Sequence, residues 1–199
     1  LLFAGPIQFS CGIMGGLSPI AAKEVVTMAR KNVLYRVGDS TAIDYFQRYI
    51  GQNYSFFMNY CLAVFEKERS DGFYVRSAPF HDVQAGTVTL NGIVPEGASI
   101  QLGTCDKNIC IQSCAESIRI ARDRYPGTKP DCALFFSCAG RKMIMGTNVT
   151  QEAETVRASL GDLPFCGFYG YGEIGPMAPG DVSLFHGTTF VTLLIGTEE

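Results

Sequence analysis

In the carboxyl-terminal third of the 199-residue chain, three short stretches carry side chains that could bind a small molecule. Cys138 and Arg141 follow one apolar run, Tyr171 and Glu173 stand among glycines, and His186 opens another apolar run. Glycines let a backbone approach a ligand closely, and an arginine fork can bind both oxygens of a carboxylate. We therefore expect these stretches to contribute to a binding site for a small polar molecule.

Glu173 is the most informative acidic residue because its neighbours are apolar and aromatic. An unpaired carboxylate in such surroundings would be costly, so a buried partner is expected. Arg141 could be that partner, in a purely structural ion pair. Alternatively, the two residues stay apart and hold the amino and carboxylate ends of a zwitterionic ligand. Tyr169, Tyr171 and Glu173 would then share one face, provided that their strand is regular.

Cys138 allows a different function, that of a catalytic nucleophile. A nearby cation such as Arg141 would lower the pKa of its thiol. Catalysis also needs a base, and the chain has two histidines, His81 and His186. A Cys138–His186 pair therefore remains as an alternative, that of a cysteine-dependent enzyme. The other explanation of Cys138 is a small residue that packs at a strand end.

The glycines from Gly170 to Gly175 match the spacing G-x-G-x-x-G of dinucleotide-binding sites. In that fingerprint a helix begins at the glycines, so that its amino terminus meets the pyrophosphate. Here Pro176, Pro179 and Gly180 follow, without helical periodicity. We therefore exclude a dinucleotide site and expect a bulged strand end or a close approach to a ligand.

The bulk composition excludes several other classes. The formal net charge is −3, which gives no basic face for nucleic acid. Apolar runs stay shorter than the roughly 18 residues of a membrane span, which predicts no membrane insertion. The eight cysteines form no Cys-x-x-Cys pair, so neither a zinc site nor a redox motif is indicated. We interpret them as buried thiols of a cytoplasmic protein.

The periodicity predicts an α+β fold, with mainly antiparallel or mixed sheets covered by about three helices. The first helix is expected to run from its amino-terminal cap Ser40 to about Gly51. The second is expected to run from its cap Asp106 to about Pro126, and the third from Gln151 to about Gly161. The strands expected from short apolar runs include a meander between Cys61 and Gly103, the doubly buried run Cys132 to Ser137, and the runs Phe165 to Tyr171 and Val182 to Ile195. The glycine-rich segment Cys11 to Leu17 is interpreted as a turn.

Three motifs in this third resemble those of the FIST domain. They are F-S-C-x-G-R from Phe136 to Arg141, G-F-Y-x-Y-G-E-I-x-P from Gly167 to Pro176, and His-x-x-Thr from His186 to Thr189. Their order resembles the carboxyl-terminal FIST subdomain, which implies that residues 32–199 form that subdomain and residues 1–31 the tail of the amino-terminal one. The family usually has Asn after the histidine, where this chain has Gly187.

The resemblance implies a sensory module of a signalling protein rather than an enzyme. Such modules are proposed to bind an amino acid or a related metabolite and to signal to an output domain or a partner protein. No cofactor is required, although haem-binding relatives make His186 a conceivable axial ligand. Arg76, a charge in a predicted apolar strand, either lies on a solvated face or, as the resemblance favours, contacts the ligand. The expected ligand-binding residues are Arg76, Ser137, Cys138, Arg141, Tyr169, Tyr171, Glu173 and His186. A third alternative is a protein-interaction module, with an exposed apolar patch and no closed pocket.

Overall fold

The structure is a computed structural model, which describes residues 4–52, 60–66 and 72–197. Its strands are β1 (Ile7–Gly15), β2 (Ser18–Pro19), β3 (Glu24–Arg30), β4 (Val33–Val37), β5 (Ser40–Thr41), β6 (Tyr60–Phe65), β7 (Tyr74–Ser77), β8 (Phe80–Asp82), β9 (Thr87–Thr89), β10 (Ser99–Thr104), β11 (Cys132–Cys138), β12 (Phe165–Gly170), β13 (Glu173–Gly175), β14 (Leu184–His186) and β15 (Thr189–Thr197). Its α-helices are α1 (Ala42–Ile50), α2 (Lys107–Asp123), α3 (Ala139–Met145) and α4 (Thr150–Leu160). The predicted α+β class is confirmed.

The chain forms two compact units. The terminal unit combines the residues up to Gly16 with those from Lys107 onward, and the central unit runs from Leu17 to Asp106. The assignment of residues 1–31 and 32–199 to two FIST subdomains stays a prediction.

The central unit is built on a largely antiparallel sheet with the strand order β7-β6-β10-β3-β4-β9-β8. The predicted meander is wrong in its order, because β10 lies between β6 and β3 instead of beside β9. Helix α1 begins as expected, but Thr41 rather than Ser40 is its cap, since the Thr41 hydroxyl accepts the Asp44 N–H.

The terminal unit has a four-stranded sheet in the order β1-β15-β11-β12, with β11 and β12 parallel. Helices α2 and α4 cover one face, where alternate residues of the strands join them in one core. Its buried members are Cys114, Ile118, Ala121, Ala133, Phe135, Val156, Leu160, Phe190 and Leu194. The run from Cys132 to Ser137 was expected to be buried on both faces, but its burial alternates, because helices cover only one face.

The glycine-rich segment from Cys11 is not a turn, since most of it belongs to β1. Gly12 faces α2, and a Cβ at this position would lie 2.0 Å from the Ser117 carbonyl oxygen. Glycine is therefore needed for the close packing of strand on helix, and the segment stays extended.

The second face of this sheet, which we call the open face, is uniformly apolar. Its residues are neighbours in the sheet register and alternate with the core residues: Phe9, Cys11, Ile13, Val191, Leu193, Ile195, Cys132, Leu134, Phe136, Cys166 and Phe168. Strands β13 and β14 form a hairpin that reaches one end of this face, since Gly175 packs against Ile13. Phe9 and Phe168 remain 64% and 65% exposed.

The predicted strand from Val182 to Ile195 is two strands, β14 and β15, separated by Gly187 and Thr188. Thr188 has φ of +58°, a left-handed conformation that is strained for a β-branched residue. The break carries the chain from the β13–β14 hairpin into the main sheet.

Candidate functional site

Arg141 lies on the helix-covered side of the sheet, where its guanidinium is 0% exposed. It donates to Glu152 Oε1 from Nε and Nη2 at 3.1 and 2.7 Å, to Ser113 Oγ at 2.7 Å and to the Cys110 carbonyl oxygen at 2.5 Å. The Tyr169 hydroxyl donates to Glu152 Oε2 at 2.7 Å. Arg141, Glu152 and Tyr169 thus form one buried network, which we call the arginine network.

The arginine network keeps its charges. Burial alone would lower the pKa of Arg141, but the Glu152 carboxylate outweighs this effect and holds it above its ordinary value. Burial and the hydrogen bond to Glu152 both raise the pKa of Tyr169, so its hydroxyl stays protonated. Arg141 is therefore held by Glu152, and it forms no hydrogen bond with Glu173 among the described residues.

Sequence reasoning missed Glu152, although a signal was present. Glu152, Val156 and Leu160 are four residues apart and share the buried side of α4. An acidic residue in register with two buried apolar residues could have indicated a buried ion pair.

Glu173 lies on the opposite side, at the end of the open face. Its side chain is buried, with 3% exposure, in the β13–β14 hairpin. The Thr189 hydroxyl donates to Glu173 Oε2 at 2.7 Å, whereas Oε1 is buried without a hydrogen-bond partner among the described residues. Thr189 and Cys138 pair in the sheet with Gly15 and Gly170 respectively, so small residues flank the carboxyl group.

Burial raises the pKa of Glu173 to about 7. Hydrogen bonds to the carboxylate lower this pKa but offset only part of the shift; they come from the Thr189 hydroxyl, the Thr189 backbone N–H and the Cys138 thiol. The cause is physical: a carboxylate removed from water without a cationic partner favours its neutral form. Of the two alternatives for Glu173, the Arg141–Glu173 ion pair is not formed, because Arg141 pairs with Glu152. The other alternative, a zwitterionic ligand between the two residues, stays a prediction. We call Glu173, Thr189 and Cys138 the carboxyl site.

Cys138 is 8% exposed and lies beside Glu173. Burial, and secondly the Glu173 carboxylate, raise the pKa of its thiol, although backbone N–H groups of Gly140 and Thr188 point to the sulfur. Most of the thiol is therefore protonated at neutral pH and weakly nucleophilic. Backbone strain at Thr188 next to this sulfur is of the kind that occurs at ligand sites.

His186 is fully buried, and its Nε2 lies 3.0 Å from the Gly175 carbonyl oxygen. The backbone N–H groups of Gly140 and Thr188 are directed at the Cys138 sulfur, and the Cys138–His186 pair of the enzyme alternative stays a prediction. Axial ligation of haem through Nε2 would require this nitrogen to leave Gly175. No group of three or more potential ligands for a metal ion occurs within residues 4–52, 60–66 and 72–197.

Tyr171 is 98% exposed, whereas Tyr169 and Glu173 are partly or fully buried. The prediction that all three share a face is wrong, because β12 ends at Gly170 and a new strand begins at Glu173. Ser137 faces the helices with its hydroxyl buried and unpartnered within the described chain. The structure thus brings Cys138 and Glu173 together and separates them from Arg141, Tyr169 and Tyr171.

Arg76 belongs to the central unit and is 4% exposed, so the solvated-face interpretation is wrong. Its Nε donates to the Ile93 carbonyl oxygen at 3.0 Å, and its guanidinium lies 4.2 Å from the centre of the Tyr74 ring. These contacts give Arg76 a structural role inside its own unit. Its predicted contact with a ligand stays a prediction.

A depression of about 1200 Å³ lies at the opposite end of the terminal unit from the carboxyl site, in the loop after α2. Its lining includes Arg122, Tyr125, Lys129, Asp131 and Asp162, and none of the predicted ligand-binding residues. These side chains are mostly exposed, so the depression is a polar surface groove rather than an enclosed site.

The chain belongs to the FIST C domain family, whose model matches residues 42–176. The FIST domain is known as a small-ligand-sensing domain of signalling proteins and is a sensory rather than a catalytic family. None of the helices in the described parts of the chain is long and apolar enough to cross a membrane.

Among curated proteins, the chain is similar to uncharacterised proteins of mycobacteria. It is 31% identical to one of Mycobacterium bovis and 30% identical to one of Mycobacterium tuberculosis, each over 106 residues. Each match covers 53% of this chain and 27% of the relative, so the chain spans only part of their length. No solved structure matches the chain.

Proposed function

We propose that this chain is a sensory domain that binds an amino acid or a related metabolite at the carboxyl site. One observation carries the proposal: Glu173 is 3% exposed and its Oε1 has no hydrogen-bond partner in the described chain. A buried acceptor of this kind is costly unless something donates to it. The ammonium group of an amino acid supplies such donors together with a positive charge.

The surroundings of Glu173 fit a small ligand. A Cβ built on Gly170 would lie 3.8 Å from Glu173 Oε1 and no closer than 3.6 Å to another described atom outside its chain neighbours. Space for about one methyl group therefore exists directly beside the unpartnered oxygen. The proposed ligand contacts are Glu173, Cys138 and Thr189, while Arg141 and Tyr169 support the strand ends through the arginine network.

We also propose that the domain works in the cytoplasm and reports ligand occupancy to an output domain or a partner protein. All eight cysteines are free thiols, which supports a reducing compartment. Thr188 and the β13–β14 hairpin lie directly beside the carboxyl site, and they are the segments whose position a ligand would change first.

The test is binding of the twenty common amino acids, measured by thermal shift and confirmed by calorimetry. Glu173→Gln should weaken binding of a hit by roughly 10- to 100-fold, since it removes a charged hydrogen bond. Gly170→Ala should also weaken binding, because its methyl group fills the space beside Oε1 without a clash in the fold.

Tyr171→Ala is the matched control, because Tyr171 is two residues from Glu173 but 98% exposed. Its binding should equal that of the wild type. Unchanged affinity in both Glu173→Gln and Gly170→Ala would place the ligand elsewhere and refute the proposed site.

A second candidate is a protein-interaction module, which the open face favours. Its residues are apolar throughout; Phe9, Cys166 and Phe168 are exposed, whereas Ile13, Val191 and Ile195 are buried. Exposed apolar side chains that form a patch mark interaction surfaces in soluble proteins. Because the face carries no charge, it is complementary to a second copy of itself. We propose such self-association as the interaction to test.

A further inference from the structure

Among the described residues no lysine or arginine pairs with Glu173, although charged and titratable groups surround it. From β11 it faces the Cys138 thiol, and from β15 the Thr189 hydroxyl. His186 of β14 is its partner in the strand register, but the His186 Nε2 is directed at the Gly175 carbonyl oxygen. Arg141 of α3 acts on it only through space, since its guanidinium is bound by Glu152.

This arrangement makes the ionised form of Glu173 unstable in the empty site. Thr189 supplies one hydrogen bond at 2.7 Å, and the second oxygen receives none within the described residues. The other donors to Glu173, the Thr189 backbone N–H and the Cys138 thiol, are neutral, and a buried carboxylate without a cationic partner loses more hydration than neutral donors restore. A protonated carboxyl group avoids that cost, and the raised pKa of about 7 agrees with the geometry.

We propose that ligand binding at Glu173 is coupled to proton release, so that the empty site holds a neutral carboxyl group and the occupied site holds a carboxylate paired with the ligand's ammonium group. The inference rests on the proposed function and adds its regulation. The proton leaves Glu173 for the solvent as the ammonium N–H groups donate to Oε1. The sensor therefore responds to ligand and to pH together.

The coupling has a defined direction. Below a pH of about 7, each unit of acidification should weaken binding of an amine about tenfold, because a proton must first be removed. Above it, binding should become independent of pH. For a ligand without an amine, binding should not show this change with pH.

The first experiment needs no ligand. Because the folded-state pKa of Glu173 is raised above its unfolded value, the associated stability is present at low pH and is lost as the pH rises through about 7. Urea unfolding of wild type and Glu173→Gln should be compared from pH 5.5 to 8.5. The folding equilibrium constant of the wild type, relative to the variant, should fall about thirtyfold over this range.

Glu154→Gln is the control, since Glu154 is exposed on α4, and it should leave the pH profile unchanged. Infrared spectroscopy of the wild type provides a readout that needs no variant: the band of a buried protonated carboxyl group should disappear between pH 6 and 8. A parallel pH profile for wild type and Glu173→Gln, or no such band, would overturn the inference.

The second experiment uses methylammonium chloride as the amine and sodium acetate as the amine-free probe, in thermal shifts at pH 6 and pH 8. Methylammonium should raise the melting temperature more at pH 8, and acetate should not. An equal methylammonium shift at both values would overturn the coupling alone. If Glu173 titrates as expected but methylammonium shifts the melting temperature at neither pH, both the coupling and the sensing of an amine would be overturned.

Discussion

At the scale of single residues, the terminal unit contains two buried carboxyl groups with different surroundings. Glu152 accepts from Arg141 at 2.7 Å and from Tyr169 at 2.7 Å, so its charge is compensated. Glu173 accepts from the Thr189 hydroxyl at 2.7 Å, and no lysine or arginine of the described chain pairs with it. The first group holds the helices on the sheet, and the second is the group at which we propose that a ligand binds.

The arginine network predicts a large stability effect of Arg141→Ala. Removing one partner of a buried ion pair leaves the other charge uncompensated, so the loss should be about 3–5 kcal/mol by urea unfolding. Tyr169→Phe removes one hydrogen bond to a charged group and should cost about 1.5–3 kcal/mol.

The matched control for Arg141→Ala is Arg119→Ala. Arg119 also pairs with two acidic residues, Glu116 and Asp123, but its side chain is 59% exposed. Exposed pairs contribute little, so the loss of stability there should be much smaller than the loss at Arg141. Equal losses at Arg119 and Arg141 would show that the network is not held as the structure indicates.

Sequence reasoning predicted that Glu173 is buried but left open whether Arg141 or a ligand is its partner. The apolar neighbours of Glu173 are visible in the sequence, and so is the expectation of burial. Its partners depend on which side of the sheet each residue occupies. The side on which each residue lies depends on the end of β12 at Gly170 and on the position of Glu152 in α4. Tertiary packing sets both.

At the scale of elements, two glycines of the terminal unit have opposite structural roles. A methyl group at Gly12 would lie 2.0 Å from the Ser117 carbonyl oxygen and 2.8 Å from the Ala121 nitrogen, so β1 and α2 would have to separate. A methyl group at Gly140, within α3, would meet only the Cys138 sulfur, at an ordinary 3.7 Å.

Gly12→Ala should therefore destabilise the protein by at least about 1–3 kcal/mol, the usual cost of overpacking. Gly140→Ala should stabilise α3 by about 0.5–1 kcal/mol, because alanine loses less conformational entropy in a helix. Thermal and urea unfolding of both variants give the comparison. Destabilisation of similar size in both would contradict the close contact of β1 with α2.

Most helices and strands could be predicted from periodicity, because apolar spacing decides which residues are buried locally. The places where a strand continues or breaks against the local pattern could not be predicted in this way. Gly12 stays in a strand because a helix packs on it, and the strand after Val182 breaks at Thr188, whose φ of +58° is imposed by its surroundings. Both features depend on residues far away in the chain.

At the scale of the whole molecule, the open face should cause self-association. Phe168→Asp places a charge on this face, next to Phe136, whose ring centre lies 5.2 Å from that of Phe168. If two copies pair through the face, sedimentation velocity should show a concentration-dependent dimer in the wild type and a monomer in Phe168→Asp.

The control is Met143→Asp, because Met143 is 66% exposed on α3 and lies outside the open face. It should dimerise like the wild type. Maleimide labelling of the exposed Cys166 should slow as protein concentration rises. A monomer at every concentration, with constant labelling of Cys166, would contradict the second candidate function.

The pairing of β1 with β15 also bears on synthesis at the ribosome. Within the described chain β1 has one neighbour in its sheet, β15, and the register joins Ile7 to Thr197. The central unit is continuous in sequence, so all its strands leave the ribosome before α2. The terminal unit must wait, with the apolar side chains of β1 unpaired, until translation delivers the strand that completes its sheet.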